Sequence, residues 1–285
     1  MISVVKVTIA LPTYNRASLL ERCVRSVFLQ TFGDYELIVI DDGSNDGTQE
    51  IVTKLSELDS RIRYHKNEVN MGLPKSRNIA VTLSKGDFVF FVEDDLTLHP
   101  KCLQNLIRTF NKLTSSKANV GAVGPRLIEE SFRRTKCRRR VVEINRFTGM
   151  ILADFGMNGG LTEVPTLHSC SLISKAVFKD SGGYDWHRYR GTSFREETDL
   201  YFRMRRKGYR LFYQPAAIGF HKNVPSGGSR LPHFRGGYYE VRNHVLFLLK
   251  FWGIKTALMI PCYVVYVASR LKPFLSSSQR CWRGT

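Results

Sequence analysis

Carboxylates follow two of the most apolar stretches in the first half of the chain. Asp41-Asp42 comes directly after residues 35–40, and Glu93-Asp94-Asp95 comes directly after residues 87–92. The sequence has neither a glycine-rich dinucleotide fingerprint after its first apolar stretch nor a Walker phosphate loop. Carboxylates at these places suit a nucleotide whose diphosphate reaches the protein through a divalent cation.

The charge of the chain is distributed unevenly. Residues 1–100 contain 11 basic and 14 acidic residues, residues 101–285 contain 32 and 11, and the net charge of the whole chain is +18. Such an excess predicts a polyanionic partner, a membrane surface or an anionic substrate. The acidic first half suits a cation site, and the basic second half suits phosphate or anionic lipid.

Length and composition exclude two classes of protein. A chain of 285 residues that is 43% hydrophobic can bury a large core, so it is neither disordered nor a small disulfide scaffold. Its six cysteines are dispersed without paired metal-binding spacing and are interpreted as reduced cytosolic thiols. The apolar N-terminal segment lacks a basic region and a cleavage site, so it predicts a strand and not a signal peptide.

Strands and helices alternate in the elements that must position the carboxylates. Helices with one apolar face separate apolar, β-branched stretches that predict strands at residues 4–11, 35–40, 62–65, 87–92 and 120–123. This alternation predicts a parallel sheet covered on both faces. Ligands bind beyond the carboxyl ends of such strands, so the two acidic clusters are expected side by side.

Beyond about residue 125 the pattern loosens. A basic, irregular stretch is expected at residues 126–146, a helix at 196–208, two short strands at 210–213 and 217–220, and a glycine-rich loop at 225–237.

The last part of the chain is mostly apolar from residue 245 to residue 269. Its longest uncharged stretch, residues 256–269, has 14 residues. As a helix this stretch spans about 21 Å, less than the roughly 30 Å of a bilayer's hydrocarbon core. We therefore expect an amphipathic anchor lying in the membrane plane, with Trp252, Tyr263 and Tyr266 at the interface. The alternative is a final helix packed on the domain.

Seven motifs in order resemble the family 2 glycosyltransferases of the GT-A fold. They cover roughly residues 6–245 and are Thr8–Arg16, Val39–Ser44, Asn70–Gly72 with Ser76–Asn78, Glu93–Asp95, Gly182–Asp185, Arg195–Leu200 and Phe220–Lys222. The resemblance implies an α/β fold with a doubly wound, mixed, mostly parallel sheet and helices on both faces. Residues 1–243 would form the GT-A domain, with a nucleotide-sugar half (1–124) and an acceptor half carrying the base (125–243). Residues 244–285 would form an apolar, membrane-associated helical tail.

The resemblance also implies a nucleotide-sugar donor: a UDP-, GDP- or dTDP-sugar. Asp42 would accept a hydrogen bond from the base, and Arg77 would reach the nucleotide. An aromatic face, a carboxylate and a guanidinium suffice to orient a base. Alternatively, Asp41 and Asp42 are helix caps and Arg77 is a surface charge. The segment lining the donor pocket would be Pro12, Thr13, Tyr14 (against the base) and Asn15.

The Glu93-Asp94-Asp95 segment occupies the place of the family's metal-binding motif. By the resemblance, Asp95 would bind Mg²⁺ or Mn²⁺, Asp94 would bind the ribose, and His221 would complete the metal or diphosphate site. Arg230 would close over the pyrophosphate on a glycine-hinged loop. Glu93 departs from the commoner aspartate, which puts its own role in doubt. The alternatives are a solvated acidic turn and an ordinary histidine.

The general base is expected at Glu196-Glu197, which matches the family's acidic pair. An inverting transfer needs a carboxylate that removes the proton of the acceptor hydroxyl. We expect Glu197 in this role, with Glu196 as the second choice. The alternative is that the pair forms ion pairs with Arg195 or Arg203. The loops between about Arg126 and His168 are expected to select the base, the donor sugar and the acceptor hydroxyl, and residues 167–171 there depart from the family's usual small polar residues.

The expected function is an inverting, metal-dependent transfer of a sugar to a hydroxyl of a lipid-linked or polysaccharide acceptor. The expected place is the cytoplasmic face of the cell membrane, with peripheral or monotopic attachment. One alternative is a catalytically silent protein that binds sugar nucleotides. Another is a basic nucleic-acid-binding protein, which the acidic strand ends disfavour because they repel phosphate unless a metal intervenes. We therefore expect no nucleic-acid partner.

Overall fold

Strands and helices alternate through the first half of the chain, as the sequence predicts. The computed structural model describes residues 6–130, 140–189, 194–222 and 233–267. From β1 to α4, each predicted strand is present within a few residues of its expected bounds, the predicted helices lie between them, and β5 is additional. The elements are β1 (Val7–Thr13), α1 (Ala17–Phe28), β2 (Tyr35–Asp41), α2 (Thr48–Leu58), β3 (Ile62–Lys66), α3 (Leu73–Leu83), β4 (Phe88–Phe91), β5 (Leu96–Leu98), α4 (Cys102–Ser115) and β6 (Val120–Glu129).

The second half contributes five further strands and, before residue 253, three further helices to the described residues. These are β7 (Val142–Ile144), β8 (Ile151–Ala153), β9 (Thr162–Glu163), β10 (Ser171–Ser174), α5 (Lys175–Asp180), α6 (Glu196–Arg206), β11 (Arg210–His221) and α7 (His233–Trp252). β7 and β8 form a separate two-stranded sheet, and the other strands belong to the main sheet.

The main sheet is mixed and mostly parallel. Its strand order is β3-β2-β1-β4-β10-β6-β11-β5, with β9 added to β11. The pairs β3-β2, β2-β1, β1-β4 and β6-β11 are parallel, whereas β10 and β5 run antiparallel to their neighbours. All seven residues of β1 are buried, so both faces of the sheet must be covered.

Two hydrophobic cores lie on opposite faces of the sheet. Along β2, Leu37 and Val39 contribute to one core, and Ile38 and Ile40 contribute to the other, because successive side chains of a strand point to opposite faces. Buried residues of α1, α2 and α4 belong to the first core, and those of α3, α5 and α6 to the second. The predicted doubly wound arrangement is therefore confirmed.

Two strands are longer than the sequence predicts. β6 continues to Glu129, through a segment expected to be irregular, and β11 joins the two short strands expected on either side of Pro215. Pro125 and Pro215 interrupt the apolar stretches, which is why the sequence predicted shorter strands. β6 and β11 pair in parallel past both prolines, with a register shift between Gln214 and Ile218, and this pairing places His221 opposite Glu129.

The end of the described chain is helical. α7 is followed by a 3₁₀ turn (Gly253–Lys255) and a helix over residues 256–267, and the boundary expected at residue 243 falls inside α7. Among the described residues, one helix, taken from Arg235 to Val267, is long and apolar enough to cross a membrane by length and composition. Its most apolar 18-residue window has a mean hydropathy of 1.6, and 22% of that window is buried.

One face of this C-terminal helix packs on the domain. Thr256, Met259 and Tyr263 are buried, and the Tyr263 ring lies 4.1 Å from the ring of His244. Tyr263, expected at a membrane interface, is therefore an interior residue, and Trp252 packs 5.6 Å from Phe202. The opposite face exposes large apolar side chains: Ile254 (92%), Leu258 (78%) and Val265 (68%).

Candidate active site

The two acidic clusters meet beside the end of β1, because β2 and β4 flank that strand. Thr13, the last residue of β1, donates from Oγ1 to Asp94 Oδ2 at 2.8 Å, and its carbonyl oxygen accepts from the Asp42 N–H at 2.9 Å. Arg16 Nη1 lies 2.9 Å from Asp94 Oδ1 and 3.0 Å from Asp95 Oδ2. The structure thus brings the two clusters together as expected, and it adds Arg16 to them.

The segment expected to line the donor pocket leaves the sheet at this point. Pro12 and Thr13 are buried in β1, whereas Tyr14 and Asn15 are half-buried beyond its end. Asn15 has φ +51°, a conformation that asparagine tolerates better than most residues. Its N–H donates to Ser44 Oγ at 2.9 Å, so this segment and the loop after β2 are held against each other.

The carboxylate of Asp42 is buried and organises the neighbouring loop. Its Oδ1 accepts from Asn67 Nδ2 at 2.8 Å and from the Met71 N–H at 2.9 Å, and its Oδ2 accepts from the Gly72 N–H at 2.8 Å. Asp41 accepts from the Ser44 N–H at 2.7 Å. Neither caps α2, whose N-cap Gly47 has no side-chain cap bond, so the alternative of helix caps is wrong.

A cluster of three side chains forms a candidate cation site, which we call the Glu93–Asp95–His221 cluster. One possible ligand atom from each residue lies within 4.8 Å of the others. His221 Nε2 lies 3.4 Å from Asp95 Oδ1, and His221 Nδ1 lies 2.8 Å from Glu129 Oε1. Asp95 Oδ1 is buried without a hydrogen-bond partner. Two carboxylates and an imidazole, with one buried carboxylate oxygen that accepts no hydrogen bond, fit a divalent cation.

Opposite charges set the protonation of this cluster. Burial acts to raise the pKa of Asp95, but contact with His221 and Arg16 holds it below its usual range. The contact with Asp95 raises the pKa of His221 to about 9, against the effect of burial. Burial raises the pKa of Asp94 to about 6, although Arg16 opposes the change. The site is therefore built around carboxylate charge that nearby cations balance.

Arg77 is a buried charge that connects the cluster to the acidic pair (Glu196 and Glu197). Its side chain is 1% exposed, so the alternative of a surface charge is wrong. Nη2 donates to Glu93 Oε1 at 3.1 Å, and Nη1 lies 3.7 Å from Glu196 Oε1. The guanidinium lies 5.3 Å from the centre of the Tyr184 ring. Its Nε and Nη1 are buried without hydrogen-bond partners.

The two members of the acidic pair lie in different environments at the start of α6. Glu196 is fully buried, and neither of its carboxylate oxygens has a hydrogen-bond partner. Burial and the neighbouring Glu197 raise the pKa of Glu196 well above its usual range. Glu197 is half-buried and reaches solvent. The arginines expected as ion-pair partners contact other groups: Arg203 pairs with Asp199 at 2.6 Å, and Arg195 donates to His244 at 3.1 Å.

Two side chains beside Glu93, those of Ser169 and His168, were not predicted from the sequence. Ser169 Oγ donates to Glu93 Oε1 at 2.7 Å. The His168 ring lies 6.3 Å from the His221 ring, and its Nδ1 accepts from the Cys170 N–H at 3.2 Å. The only signal for them was the departure of residues 167–171 from the small polar residues that the resemblance led us to expect. Arg230, expected over the pyrophosphate, lies outside the described residues.

An open groove of about 720 Å³ lies on the second half of the chain. Its lining includes β7, Tyr213 and residues 157–160 and 162–165. Tyr213 donates to the Phe155 carbonyl at 2.8 Å, and the Phe155 ring lies 5.9 Å from the His168 ring. Tyr213, Phe155 and His168 therefore connect the groove to the surroundings of Glu93. The groove lies on the half of the chain expected to bind the acceptor.

Residues 8–182, more than half of the chain, match the family model described as glycosyl transferase family 2. The chain belongs to this family. The predicted family and the predicted class of enzyme, a glycosyltransferase, are thereby confirmed.

Two curated bacterial proteins are similar over part of their length. The chain is 36% identical over 108 residues to the GalNAc(5)-diNAcBac-PP-undecaprenol beta-1,3-glucosyltransferase of Campylobacter jejuni, which covers 38% of this chain and 35% of that protein. It is 37% identical over 123 residues to the poly(ribitol-phosphate) beta-N-acetylglucosaminyltransferase TarP of Staphylococcus aureus, with 42% and 37% covered. The matched part spans little more than a third of each relative.

Solved structures of other glycosyltransferases share the fold. TarS 1-349 of S. aureus in complex with UDP-GlcNAc matches with a TM-score of 0.61 at 16% identity, over 91% of this chain and 71% of that chain. GalNAc-T7 with UDP, GalNAc and Mn²⁺ matches with a TM-score of 0.68 at 14% identity, over 90% and 49%. These likenesses confirm the predicted GT-A fold.

Proposed function

We propose that this family 2 glycosyltransferase inverts the anomeric centre and depends on a divalent metal. The observation that carries the proposal is that Arg77 lies between the Glu93–Asp95–His221 cluster and the acidic pair, close to both. A metal-diphosphate site and a base must both lie near the anomeric carbon of a bound donor, on its opposite faces. The short distances from Arg77 to Glu93 (3.1 Å) and to Glu196 (3.7 Å) support that proximity.

The donor is a nucleoside-diphosphate sugar, and a UDP-sugar is the first choice among UDP-, GDP- and dTDP-sugars. UDP and UDP-GlcNAc are bound by proteins of the same fold, which supports this choice. The half-buried Tyr14 is available to stack on the base. Pro12, Thr13 and Asn15 shape the pocket, and Asp42 keeps a lone pair on Oδ2 for a base N–H while it holds the loop at Gly72. Asp94 accepts from a ribose hydroxyl.

Asp95 and His221 would hold Mg²⁺ or Mn²⁺, with Glu93 as a further ligand. When bound, the metal neutralises charge on the departing diphosphate. The chain itself prepares the site: Arg77 and Ser169 fix the Glu93 carboxylate, and Glu129 fixes the His221 ring from its other nitrogen. A protein of the same fold contains Mn²⁺, which supports this assignment.

Glu197 is the general base, because it is the member of the acidic pair that a substrate can reach. The acceptor oxygen attacks the anomeric carbon and its proton passes to Glu197, while the bond from that carbon to the diphosphate oxygen breaks with its electron pair on the diphosphate. Burial and the neighbouring Glu197 raise the pKa of Glu196 well above its usual range, which disfavours a second negative charge beside the base. Arg230 would cover the pyrophosphate.

The acceptor is a hydroxyl of a lipid-linked or polysaccharide glycan. Support comes from the relatives, whose names refer to an undecaprenol-linked glycan and to poly(ribitol-phosphate). The exposed apolar face at Ile254, Leu258 and Val265 suits peripheral attachment to the cytoplasmic face of a membrane. In this proposal residues 1–124 bind donor, residues 125–243 bind acceptor and supply the base, and residues 244–285 attach to lipid.

The test is a panel of UDP-, GDP- and dTDP-sugars with Mn²⁺ or Mg²⁺, measured by thermal shift, because a ligand that binds only the folded state raises its stability. The donor that stabilises the protein is then supplied with lipid-linked and polysaccharide acceptors, and the product anomer is determined by NMR. Retention of the donor's anomeric configuration, or transfer at full rate in the presence of EDTA, would contradict the proposal.

A further inference from the structure

Buried polar side chains connect helix α7 to the start of α6. Asn243 and His244 are 0% exposed although they belong to the helix that also carries exposed apolar residues. Asn243 Nδ2 donates to the Phe194 carbonyl at 3.3 Å, and His244 Nδ1 accepts from Arg195 Nε at 3.1 Å. Two turns further along α7, Lys250 Nζ lies 2.6 Å from Asp199 Oδ1. These contacts all reach residues that immediately precede the acidic pair or follow it closely.

Arg195 is held in an unfavourable backbone conformation directly before the acidic pair. Its φ is +77°, in the left-handed region that favours glycine. Such a conformation persists only where the surroundings impose it. Here the guanidinium is buried 4.7 Å from the Phe194 ring centre and 5.2 Å from that of Phe247, which belongs to α7. These contacts hold the residue that immediately precedes α6 and the acidic pair.

His244 has one tautomer in this arrangement. An arginine donates hydrogen bonds and cannot accept them, so His244 Nδ1 is the acceptor and Nε2 carries the proton. Nε2 then donates to the Thr148 carbonyl at 2.8 Å. Burial and the charge of Arg195 lower the pKa of His244 to about 3, which keeps the ring neutral. One ring therefore joins α7, the turn at residue 148 and Arg195.

We infer that α7 positions the carboxylate of Glu197 through His244 and Arg195. His244 fixes the Arg195 side chain, Arg195 fixes the left-handed turn, and the turn sets the start of α6. The inference rests on the proposed role of Glu197 as base. It makes His244 and Arg195 positioning residues, with no contact to substrate, and it gives the apolar C-terminal helix a role in turnover that is separate from lipid attachment.

Two substitutions at one position separate the two bonds of His244. His244→Asn keeps an acceptor near Nδ1 for Arg195, and His244→Gln keeps a donor near Nε2 for Thr148. We expect His244→Gln to lower kcat about tenfold or more, because misplacing a reacting group from a distance has this order of effect. His244→Asn should stay within about threefold of the unaltered protein. The KM for donor and the calorimetric Kd for UDP with Mn²⁺ should not change in either variant.

Lys250→Met provides a second measurement if the His244 variants do not fold. This substitution removes the contacts of Lys250 with Asp199 and Asp185, which keep Arg203 and Arg188 as partners. Its matched control is Lys255→Met on the exposed 3₁₀ turn. We expect Lys250→Met to lower kcat and the control to leave it unchanged. Normal kcat in a folded His244→Gln, normal kcat in Lys250→Met where the His244 variants do not fold, or a loss confined to donor binding overturns the inference. A Glu197→Gln variant with normal turnover instead removes the proposed base, so the two failures are distinguishable.

Discussion

His221 Nε2 lies 3.4 Å from Asp95 Oδ1, a buried oxygen that accepts no hydrogen bond in the described part of the chain. The two residues belong to strand ends 126 positions apart in sequence, and the antiparallel pairing of β11 with β5 brings them together. An imidazole beside an unsatisfied carboxylate oxygen is the arrangement that a divalent cation would complete.

Asp95→Asn should weaken Mn²⁺ binding by at least about tenfold. The loss of an outer group that only supports a metal ligand already has an effect of this size. Asparagine is preferable to alanine here because Asp95 is buried against Arg16, and an empty space there would disturb folding. Binding of Mn²⁺ alone and of UDP with Mn²⁺ is measured by calorimetry. Asp180→Asn, at an exposed carboxylate paired with Lys207, is the control. Equal Mn²⁺ affinity in the two variants would show that Asp95 is not a ligand.

Glu197→Gln should lower kcat by roughly 10²- to 10⁴-fold at saturating donor, the usual contribution of a positioned base. Donor binding should hardly change, since glutamine keeps the size of the side chain. Glu196→Gln should have a smaller effect, because burial favours the protonated form of Glu196, and glutamine is close to that form in shape and charge. Rates are compared at equal folded fraction. An inactive Glu196→Gln beside an active Glu197→Gln would exchange the two roles.

The exposed face of the C-terminal helix should bind anionic vesicles. Leu258→Gln together with Val265→Gln removes two exposed apolar side chains and should weaken binding by about tenfold or more, given the free energy of burying such groups. Flotation with phosphatidylcholine–phosphatidylglycerol vesicles measures the effect. Leu58→Gln, at an equally exposed leucine of α2, should leave binding unchanged. Deleting the tail is a poorer test, because Met259 and Tyr263 are interior residues. Similar flotation of all three proteins would exclude this surface.

Acid should destabilise the protein in part through His244. Its pKa is about 3 in the folded state, against about 6.5 in an unfolded chain. Between these values the unfolded chain binds a proton that the folded chain does not. The free energy of unfolding should therefore fall as the pH falls below about 6.5, by at most about 1.4 kcal/mol per pH unit from this residue.

Denaturant unfolding at pH 7, 6 and 5 measures this dependence. His244→Asn should show a shallower loss of stability with acid than the unaltered protein, and His187→Asn, at an exposed histidine, should not. Parallel curves for the His244 variant and the unaltered protein would mean that His244 is not buried as a neutral ring.

Local patterns in the sequence determined most of the first half of the fold. The period of the apolar residues differs between strands and helices, so it predicts the type of each element. β2 is a continuous apolar stretch, and α1 has helical spacing of Leu20, Cys23, Val24 and Val27. The acidic clusters could be located for the same reason: parallel strands end at one edge of a sheet. The resemblance to the family then assigned candidate roles to Asp95, His221 and Glu197.

Only the tertiary structure decided which of these charges are buried and what they contact. Arg77 lies between Glu93 and Glu196, Glu196 lies out of reach of solvent while Glu197 does not, and His244 lies against Arg195. Local sequence does not determine these contacts. Each joins residues from elements that are far apart in the chain, and the distance between those residues depends on strand order and helix packing. The antiparallel β10 and the continuation of β6 and β11 past their prolines belong to the same class. Pairing with neighbouring strands overrode the local signal there.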